Sequence, residues 1–211
     1  MFYKWDCSLT KIQKEGYGDV TMKDTDLVLL DRIAPSILIE MRYATVYNFA
    51  KRALYPSLCC FLRKKVADKL FSVQAQLNKQ GLGLKVYDGY RPHSVQKQLW
   101  EICPDPRFVA DPKKGSKHSR GAAVDLTLVD RSGQELPMPT PFDTFTPQAH
   151  RHCQNLPADV LENRALLERA MEEQGFLPLP TEWWHFDDEE WESYPLVDLS
   201  FEALCALSCS S

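Results

Sequence analysis

Two short segments combine the side chains that a catalytic metal centre requires. His118 and Asp125 lie in KHSRGAAVD, and Glu182 and His185 lie in EWWH. Catalytic zinc takes three protein ligands, typically imidazoles and carboxylates, and keeps one position for water, whose pKa falls towards about 7. The four side chains are one more than the metal needs. Peptide hydrolysis also requires a base that accepts a proton from water, so either Glu182 or Asp125 is expected to serve as that base.

Two further groups of reactive side chains are weaker candidates. His150 and His152 form an HxH pair beside Cys153, and both rings would share a face if the chain were extended. We interpret this stretch as a polar loop rather than a second metal site. The adjacent Cys59 and Cys60 lack CxxC spacing and basic neighbours, so we expect small buried side chains without redox chemistry.

Hydrophobic periodicity predicts the first elements that position these residues. Apolar residues at helical spacing predict a long helix over 61–80, with Gly81 as its carboxyl-terminal cap. The segment LKVYDGYRP that follows reads as a strand ending near Asp88, and its proline suits the start of a second helix reaching about Ile102. Arg91 is therefore expected at a strand-to-helix junction.

The second half of the chain predicts another strand and another helix. Alternating, β-branched residues from Ala122 predict a strand that contains Asp125. A helix is expected to begin at Asp159, with Glu162 completing a capping box, and to end before Gly175.

The segment EWWHF is aromatic enough to form a strand. Side chains alternate along a strand, so Glu182 and His185 would point to opposite faces of a regular one. A bend or bulge near the two tryptophans is therefore required. The acidic run 187–190 is predicted to be a solvated exit from the strand.

The composition excludes several classes of function. Of the 211 residues, 44% are hydrophobic and 26% are charged, which is typical of a globular chain. The net charge of -4 disfavours nucleic acid as a partner.

The chain has neither a leader-like start nor an apolar run of about 18 residues, so we expect no export and no membrane association. Seven cysteines without scaffold spacing favour a reducing cytoplasm. No heptad run fixes an oligomeric state.

The pattern SxHxxGxAxD, read here as SKHSRGAAVD and followed much later by EWWH, resembles the zinc D-alanyl-D-alanine dipeptidase family. That family includes the vancomycin-resistance dipeptidases. The segments MRYATVYNF, VYDGYRP, DLTL and PFDTF resemble family segments in the same order, so the likeness covers about 27–194. It implies a single α+β domain over 1–211, with terminal extensions 1–26 and 195–211. A central antiparallel sheet of the Hedgehog and D,D-peptidase type would carry the zinc site, with helices packed to one side.

The resemblance also implies a role for each site residue. It makes His118, Asp125 and His185 the ligands of one zinc ion per chain. Glu182 matches the general base that acts on the zinc-bound water. Arg91 matches an arginine that stabilises the oxyanion of the tetrahedral intermediate.

Three more residues match positions that grip a dipeptide. Asp143 suits its free ammonium group and Ser116 its carboxylate, and Tyr43 belongs to the same set. The chain departs from the family at Lys117, where a small residue is often found and where substrate preference could change. The terminal segment FEALCALSCSS has no obvious family counterpart.

The activity implied by the resemblance is hydrolysis of the small molecule D-Ala-D-Ala to two D-alanines. The alternatives are a zinc D,D-carboxypeptidase, a peptidoglycan endopeptidase and a non-catalytic zinc-binding module. A charged group that fixes the substrate amine excludes longer chains, so Asp143 favours the dipeptidase. The presence of both Glu182 and Arg91 argues against the binding module.

Overall fold

The structure is a computed structural model that describes residues 22–209, so residues 1–21 of the predicted amino-terminal extension lie outside it. The described chain is an α+β fold, as predicted. Its strands are β1 Leu27–Leu29, β2 Leu38–Ile39, β3 Phe61–Arg63, β4 Leu82–Asp88, β5 Ala123–Asp130, β6 Phe176–Pro178 and β7 His185–Asp188. Its helices are α1 Leu30–Ile33, α2 Lys64–Asn78, α3 His93–Ile102, α4 Ala158–Glu172 and α5 Phe201–Cys209.

Five of the strands form one sheet in the order β2-β4-β5-β7-β6. The pairs β4–β5, β5–β7 and β6–β7 are antiparallel, whereas β2 pairs with β4 in parallel. The predicted antiparallel sheet is therefore correct for its centre and wrong at one edge. β3 and α2 lie between β2 and β4 in the chain. They provide the crossover connection that a parallel pair of strands requires.

The register of the three central strands places three polar residues side by side. Asp125 on β5 lies opposite Asp88 on β4 and opposite His185 on β7. The β4–β5 pairing shifts between Val86 and Asp88, so Tyr87 is the extra residue of a bulge. Bulges bend a strand and redirect the side chains that follow. The end of β4 is thereby aimed at the same point as the start of β7.

The first long helix is shorter than predicted. Helix α2 begins at Lys64, because residues 61–63 pair with β1 as strand β3 instead. Long-range pairing overrides the helical pattern there, which local periodicity cannot reveal. The predicted apolar face is otherwise correct: Val66, Leu70, Val73 and Leu77 are fully buried. Helix α2 packs against β4 and against α4, which covers β5 and β6.

The start of α4 differs from the prediction in its cap. The helix begins at Ala158, with Pro157 in the N-cap position and no side-chain cap hydrogen bond. The predicted capping box of Asp159 and Glu162 is therefore wrong, because Asp159 already lies inside the first turn. The predicted end before Gly175 is confirmed, with Gly175 in the left-handed region at φ 79°.

The carboxyl-terminal helix α5 is part of the hydrophobic core. Phe201 and Leu204 are buried, and the ring of Phe201 lies 4.7 Å from that of Tyr55. Cys60 is buried as predicted, and burial raises the pKa of its thiol. The prediction is wrong for Cys59, which is only partly buried. Within residues 22–209, every helix is too short or too polar to cross a lipid bilayer.

The α2 face gives a matched test of the core. Replacing Leu70 with alanine should lower the free energy of unfolding by about 2–5 kcal/mol, because it leaves a cavity between α2 and the sheet. Replacing the neighbouring Phe71, which is 48% exposed, with alanine should lower the free energy of unfolding by less than about 1 kcal/mol. Urea denaturation of both variants measures the difference, and equal losses would contradict this packing.

Candidate metal centre

Three side chains from two distant segments of the chain converge beside the sheet. Nδ1 of His185 lies 2.9 Å from Oδ1 of Asp125 and 3.2 Å from Nε2 of His118. Nε2 of His118 lies 3.5 Å from Oδ2 of Asp125. Within residues 22–209, they form the one group of three or more His, Cys, Asp or Glu residues whose ligand atoms lie within 4.8 Å of one another.

The orientation of His118 is set by the backbone. Its Nδ1 lies 2.8 Å from the carbonyl oxygen of Gly89, and because a carbonyl only accepts, Nδ1 carries the proton and Nε2 keeps its lone pair. Gly121 then turns the chain into β5 at φ 70°, in the left-handed region. A Cβ at Gly121 would lie 2.5 Å from Cδ2 of Leu27, so a larger residue does not fit. This tight turn brings His118 and Asp125 to one side.

The orientation of His185 is set by two carboxylates. Its Nε2 lies 2.9 Å from Oδ1 of Asp187, and its Nδ1 faces Asp125 and His118. Burial alone would lower the pKa of His185, but Asp187 and Asp125 outweigh burial and raise it to about 10. Burial also opposes ionisation of Asp125, yet the two histidines hold the pKa of that carboxyl below its usual range. The two carboxylates therefore favour a positive charge on the His185 ring.

The donor set fits a zinc ion. Ligand atoms about 2.0–2.1 Å from a tetrahedral zinc lie roughly 3.4 Å from one another. The two imidazole nitrogens lie 3.2 Å apart, and the Asp125 carboxylate lies 2.9 Å from His185 through Oδ1 and 3.5 Å from His118 through Oδ2, which is close to that value. Two imidazoles and one carboxylate are also a ligand set that catalytic zinc uses with one position left open. These residues can therefore hold a metal ion without rearrangement of the backbone.

Glu182 reaches the same pocket because the chain bends ahead of β7. Residues 182–184 lie outside the strand, and the His185 N–H donates to the Glu182 carbonyl oxygen at 3.4 Å. The predicted bend near the tryptophans is confirmed. The Glu182 side chain is buried, and burial, with Asp125 acting in the same direction, raises its pKa to about 7. The positive groups His185 and Arg91 oppose that shift.

Arg91 lies at the predicted strand-to-helix junction and is fixed by three hydrogen bonds. Its Nε and Nη2 donate to Oδ2 of Asp88 at 3.1 and 2.6 Å, and its Nη1 donates to Gln96 Oε1 at 2.9 Å. Its guanidinium also lies over the ring of Tyr43, 4.9 Å from the centroid. Nη2 is 4.0 Å from Oδ2 of Asp125. A fixed cation therefore lies beside the metal ligands.

The three remaining predicted residues surround the same space. The Tyr43 hydroxyl donates to Oδ1 of Asp143 at 3.2 Å, and the Phe49 N–H donates to Oδ2 at 3.3 Å. Burial, followed by repulsion from Asp125, raises the pKa of Asp143 well above its usual range. Asp143 has a backbone φ of 58°, a left-handed conformation that costs energy in a non-glycine residue. The buried Ser116 accepts the His118 N–H at its Oγ, 3.2 Å away.

One cavity of about 380 Å³ connects these groups. Its lining includes all the site residues predicted from the sequence: Tyr43, Arg91, Ser116, His118, Asp125, Asp143, Glu182 and His185. An adjoining cavity of about 630 Å³ is larger, but its lining includes none of the three metal ligands. The smaller cavity is therefore where chemistry can take place.

Two acidic residues of the site were not predicted. Asp88 is fully buried and binds Arg91, and its Oδ1 accepts the Tyr55 hydroxyl at 2.7 Å. Asp187 is buried against His185. The prediction that the acidic run is solvated is wrong for Asp187 and Asp188, since Asp188 is also buried and pairs with Lys69 at 2.8 Å. Strand periodicity was the missed signal for Asp187, two residues beyond His185.

The HxH pair does not form a second site of this kind. The rings of His150 and His152 lie 6.3 Å apart, and among the described residues they belong to no group that could hold a metal. Residues 150–154 are bends, turns and irregular backbone, which confirms the predicted loop.

Comparison with known proteins identifies relatives over most of the chain. The family model described as D-Ala-D-Ala dipeptidase matches residues 23–201. A D-alanyl-D-alanine dipeptidase of Escherichia coli K12 is 40% identical over 82% of this chain and 90% of its own length. One from Enterococcus faecium is 29% identical over 79% of this chain and 92% of its own. The solved structure of VanYB in complex with D-alanine-D-alanine is 16% identical, with a TM-score of 0.43 over 66% of this chain and 77% of its own.

Removal of one imidazole tests the metal centre. The His118→Ala protein should be purified without stoichiometric metal, because two remaining protein ligands rarely hold catalytic zinc tightly. The His152→Ala protein, altered in the HxH pair, should retain its metal. Metal content by plasma mass spectrometry, with circular dichroism as the check on folding, measures both. A fully metallated His118→Ala protein would refute the ligand set.

Proposed function

Since this chain belongs to the D-Ala-D-Ala dipeptidase family of metallopeptidases, we propose that it hydrolyses D-Ala-D-Ala to two D-alanines with one zinc ion per chain. The observation that carries the proposal is the content of one small cavity. The metal-binding group, a buried carboxyl with a pKa near neutrality, a fixed guanidinium and the half-buried acid Asp143 all line it. His118, Asp125 and His185 hold the zinc ion in this proposal.

Zinc bound by these residues supplies Lewis acidity, which polarises a carbonyl group and makes a water molecule more acidic. The side chains contribute the rest of the chemistry. The Nδ1–H of His118 and the Nε2–H of His185 are held by Gly89 and Asp187, so the other nitrogen of each ring faces the centre. On His185 that nitrogen would give up its proton to the solvent when the metal binds.

Glu182 is the general base. A carboxylate oxygen of Glu182 accepts a proton from the attacking water as the water oxygen bonds to the peptide carbonyl carbon. The same proton then passes to the amide nitrogen as the C–N bond breaks, which releases the second D-alanine with a neutral amine. A pKa of about 7 suits both transfers, because the group must accept and return a proton near neutral pH.

Arg91 stabilises the negative charge that develops on the carbonyl oxygen. Asp88 and Gln96 hold its guanidinium in place before substrate arrives, so little reorganisation is needed during the reaction. A preorganised donor of this kind typically contributes several kcal/mol to catalysis.

The ends of the dipeptide meet complementary groups. Asp143 is an acid for which ionisation is costly because it is buried near Asp125. An ammonium group beside it would offset that cost, which gives the free amine of a dipeptide an advantage over an acylated one. The Ser116 hydroxyl can donate its proton to the substrate carboxylate, and Tyr43 holds Asp143 in place.

The cysteines and the small substrate favour a cytoplasmic site of action. The thiols of Cys60, Cys103 and Cys153 are not in disulfide bonds, which suits a reducing compartment.

Replacement of Glu182 separates its role from metal binding. The Glu182→Gln protein should bind zinc as tightly as the unaltered protein, while kcat falls by about 10²–10⁴-fold through loss of the base. Metal analysis and steady-state kinetics on the same preparation measure both quantities. Loss of zinc from this variant would refute the assignment of Glu182 as base.

A panel of substrates tests the proposed reaction. Release of free alanine, measured without regard to configuration, should be rapid from D-Ala-D-Ala and absent from L-Ala-L-Ala and from a longer peptide ending in D-Ala-D-Ala. The longer peptide lacks a free amine at the position where Asp143 receives one. Its efficient cleavage would instead favour a carboxypeptidase, and no cleavage by the zinc-loaded protein would favour a binding module.

A further inference from the structure

Asp187 connects the metal ligand His185 to a lysine outside the ligand set. Oδ1 of Asp187 accepts the His185 Nε2–H at 2.9 Å, and Oδ2 accepts from Lys117 Nζ at 2.6 Å. We propose that Lys117 and Asp187 act as a positioning pair that fixes the ring of His185 and thereby strengthens zinc binding. This inference rests on the proposed zinc function and extends the contact between His185 and Asp187 to Lys117.

The sheet explains why Asp187 can reach His185. Both residues lie on β7, two positions apart, so their side chains share one face. Asp187 lies opposite Ala123 on β5, and the small alanine side chain leaves room beside it. The carboxylate is buried, and each of its oxygens has a partner. The geometry therefore restricts Asp187 to a single orientation.

Lys117 has a defined position of its own. Its Nζ lies 4.9 Å from the centroid of the Trp191 ring, a cation–π arrangement. Lys117 also directly precedes His118, so one short segment provides both a metal ligand and the cation that anchors the other histidine. Lys117 stands where a small residue is common in the family. Its contacts with Asp187 and Trp191 give this difference a physical role.

A purely structural ion pair on the same strand provides the comparison. Asp188 is fully buried on the opposite face of β7 and pairs with Lys69 at 2.8 Å. That pair is similar to Lys117–Asp187 in distance, although Lys69 is less exposed than Lys117 and also pairs with Glu189 at 3.1 Å. The structure gives it no contact with a metal ligand. Loss of Lys69 should therefore affect stability alone, whereas loss of Lys117 should also affect the metal.

Zinc titration against a chelating dye tests the positioning pair. Residues that orient a metal ligand typically contribute 10–100-fold to metal affinity. We expect Asp187→Ala to weaken zinc binding by about 10–100-fold and Lys117→Met by about tenfold. Lys117→Arg should recover most of the affinity, and Lys69→Met should match the unaltered protein.

The double variant decides whether Lys117 acts through Asp187. Lys117→Met should cost nothing further in the Asp187→Ala background. Equal costs in both backgrounds, or an unchanged or higher zinc affinity in Lys117→Met alone, would overturn the proposal. If Asp187→Ala fails to fold, Asp187→Asn replaces it, because the amide oxygen still accepts from His185 while the charge that holds Lys117 is lost. The cost of Lys117→Met should again disappear in that background.

Imidazole nitrogen chemical shifts give a readout independent of turnover. The zinc-loaded protein should show His185 protonated at Nε2, with line broadening of that signal in Lys117→Met as the ring becomes less fixed. An unaltered protein that binds no zinc would refute the proposed function. A zinc-binding protein whose affinity and spectrum do not respond to Lys117 would refute the positioning pair alone.

Discussion

The pairing register of β4, β5 and β7 is the constraint on which the site depends. It sets Asp88, Asp125 and His185 in a row across three strands, with the bulge at Tyr87 bringing the end of β4 into line. A slip of one residue in β5 would move Asp125 to the other face of the sheet and remove the metal centre. The helices α2 and α4 bury the sheet and hold that register, so the core and the chemistry share one geometric requirement.

Buried charge in the site is balanced unevenly, and the imbalance indicates where ligands belong. Asp88 is matched by Arg91, and Asp187 is matched by His185 and Lys117. Within residues 22–209, the hydrogen-bond partners of the half-buried Asp143 are a tyrosine hydroxyl and a backbone N–H. Since unpaired buried charge is costly, the matched acids form a rigid frame, whereas the group around Asp125 and the group around Asp143 gain most from added positive charge. In the proposed reaction the metal ion supplies that positive charge beside Asp125, and the ammonium group of the substrate supplies it beside Asp143.

The sequence predicted the residues of the site better than the way they are held. Zinc chemistry left the choice of base between Glu182 and Asp125 open, and family resemblance was needed to assign it. Local pattern gave the strand around Asp125 and the bend before His185. It could not give β3 or the parallel edge strand β2, because each depends on contacts with residues far along the chain. The position of Asp187 beside His185 was within reach of strand periodicity. The capping box failed since Pro157 determines the start of α4.

The separation of the ligands along the chain links metal occupancy to folding. Asp125 and His185 are 60 residues apart, and they meet only when β5 pairs with β7. An unfolded chain would have to close that long loop before it could offer both ligands, and the entropy of closure opposes this. The ion is thus a ligand of the native state rather than of the unfolded ensemble. Mass action then makes resistance to thermal unfolding rise with the concentration of free metal.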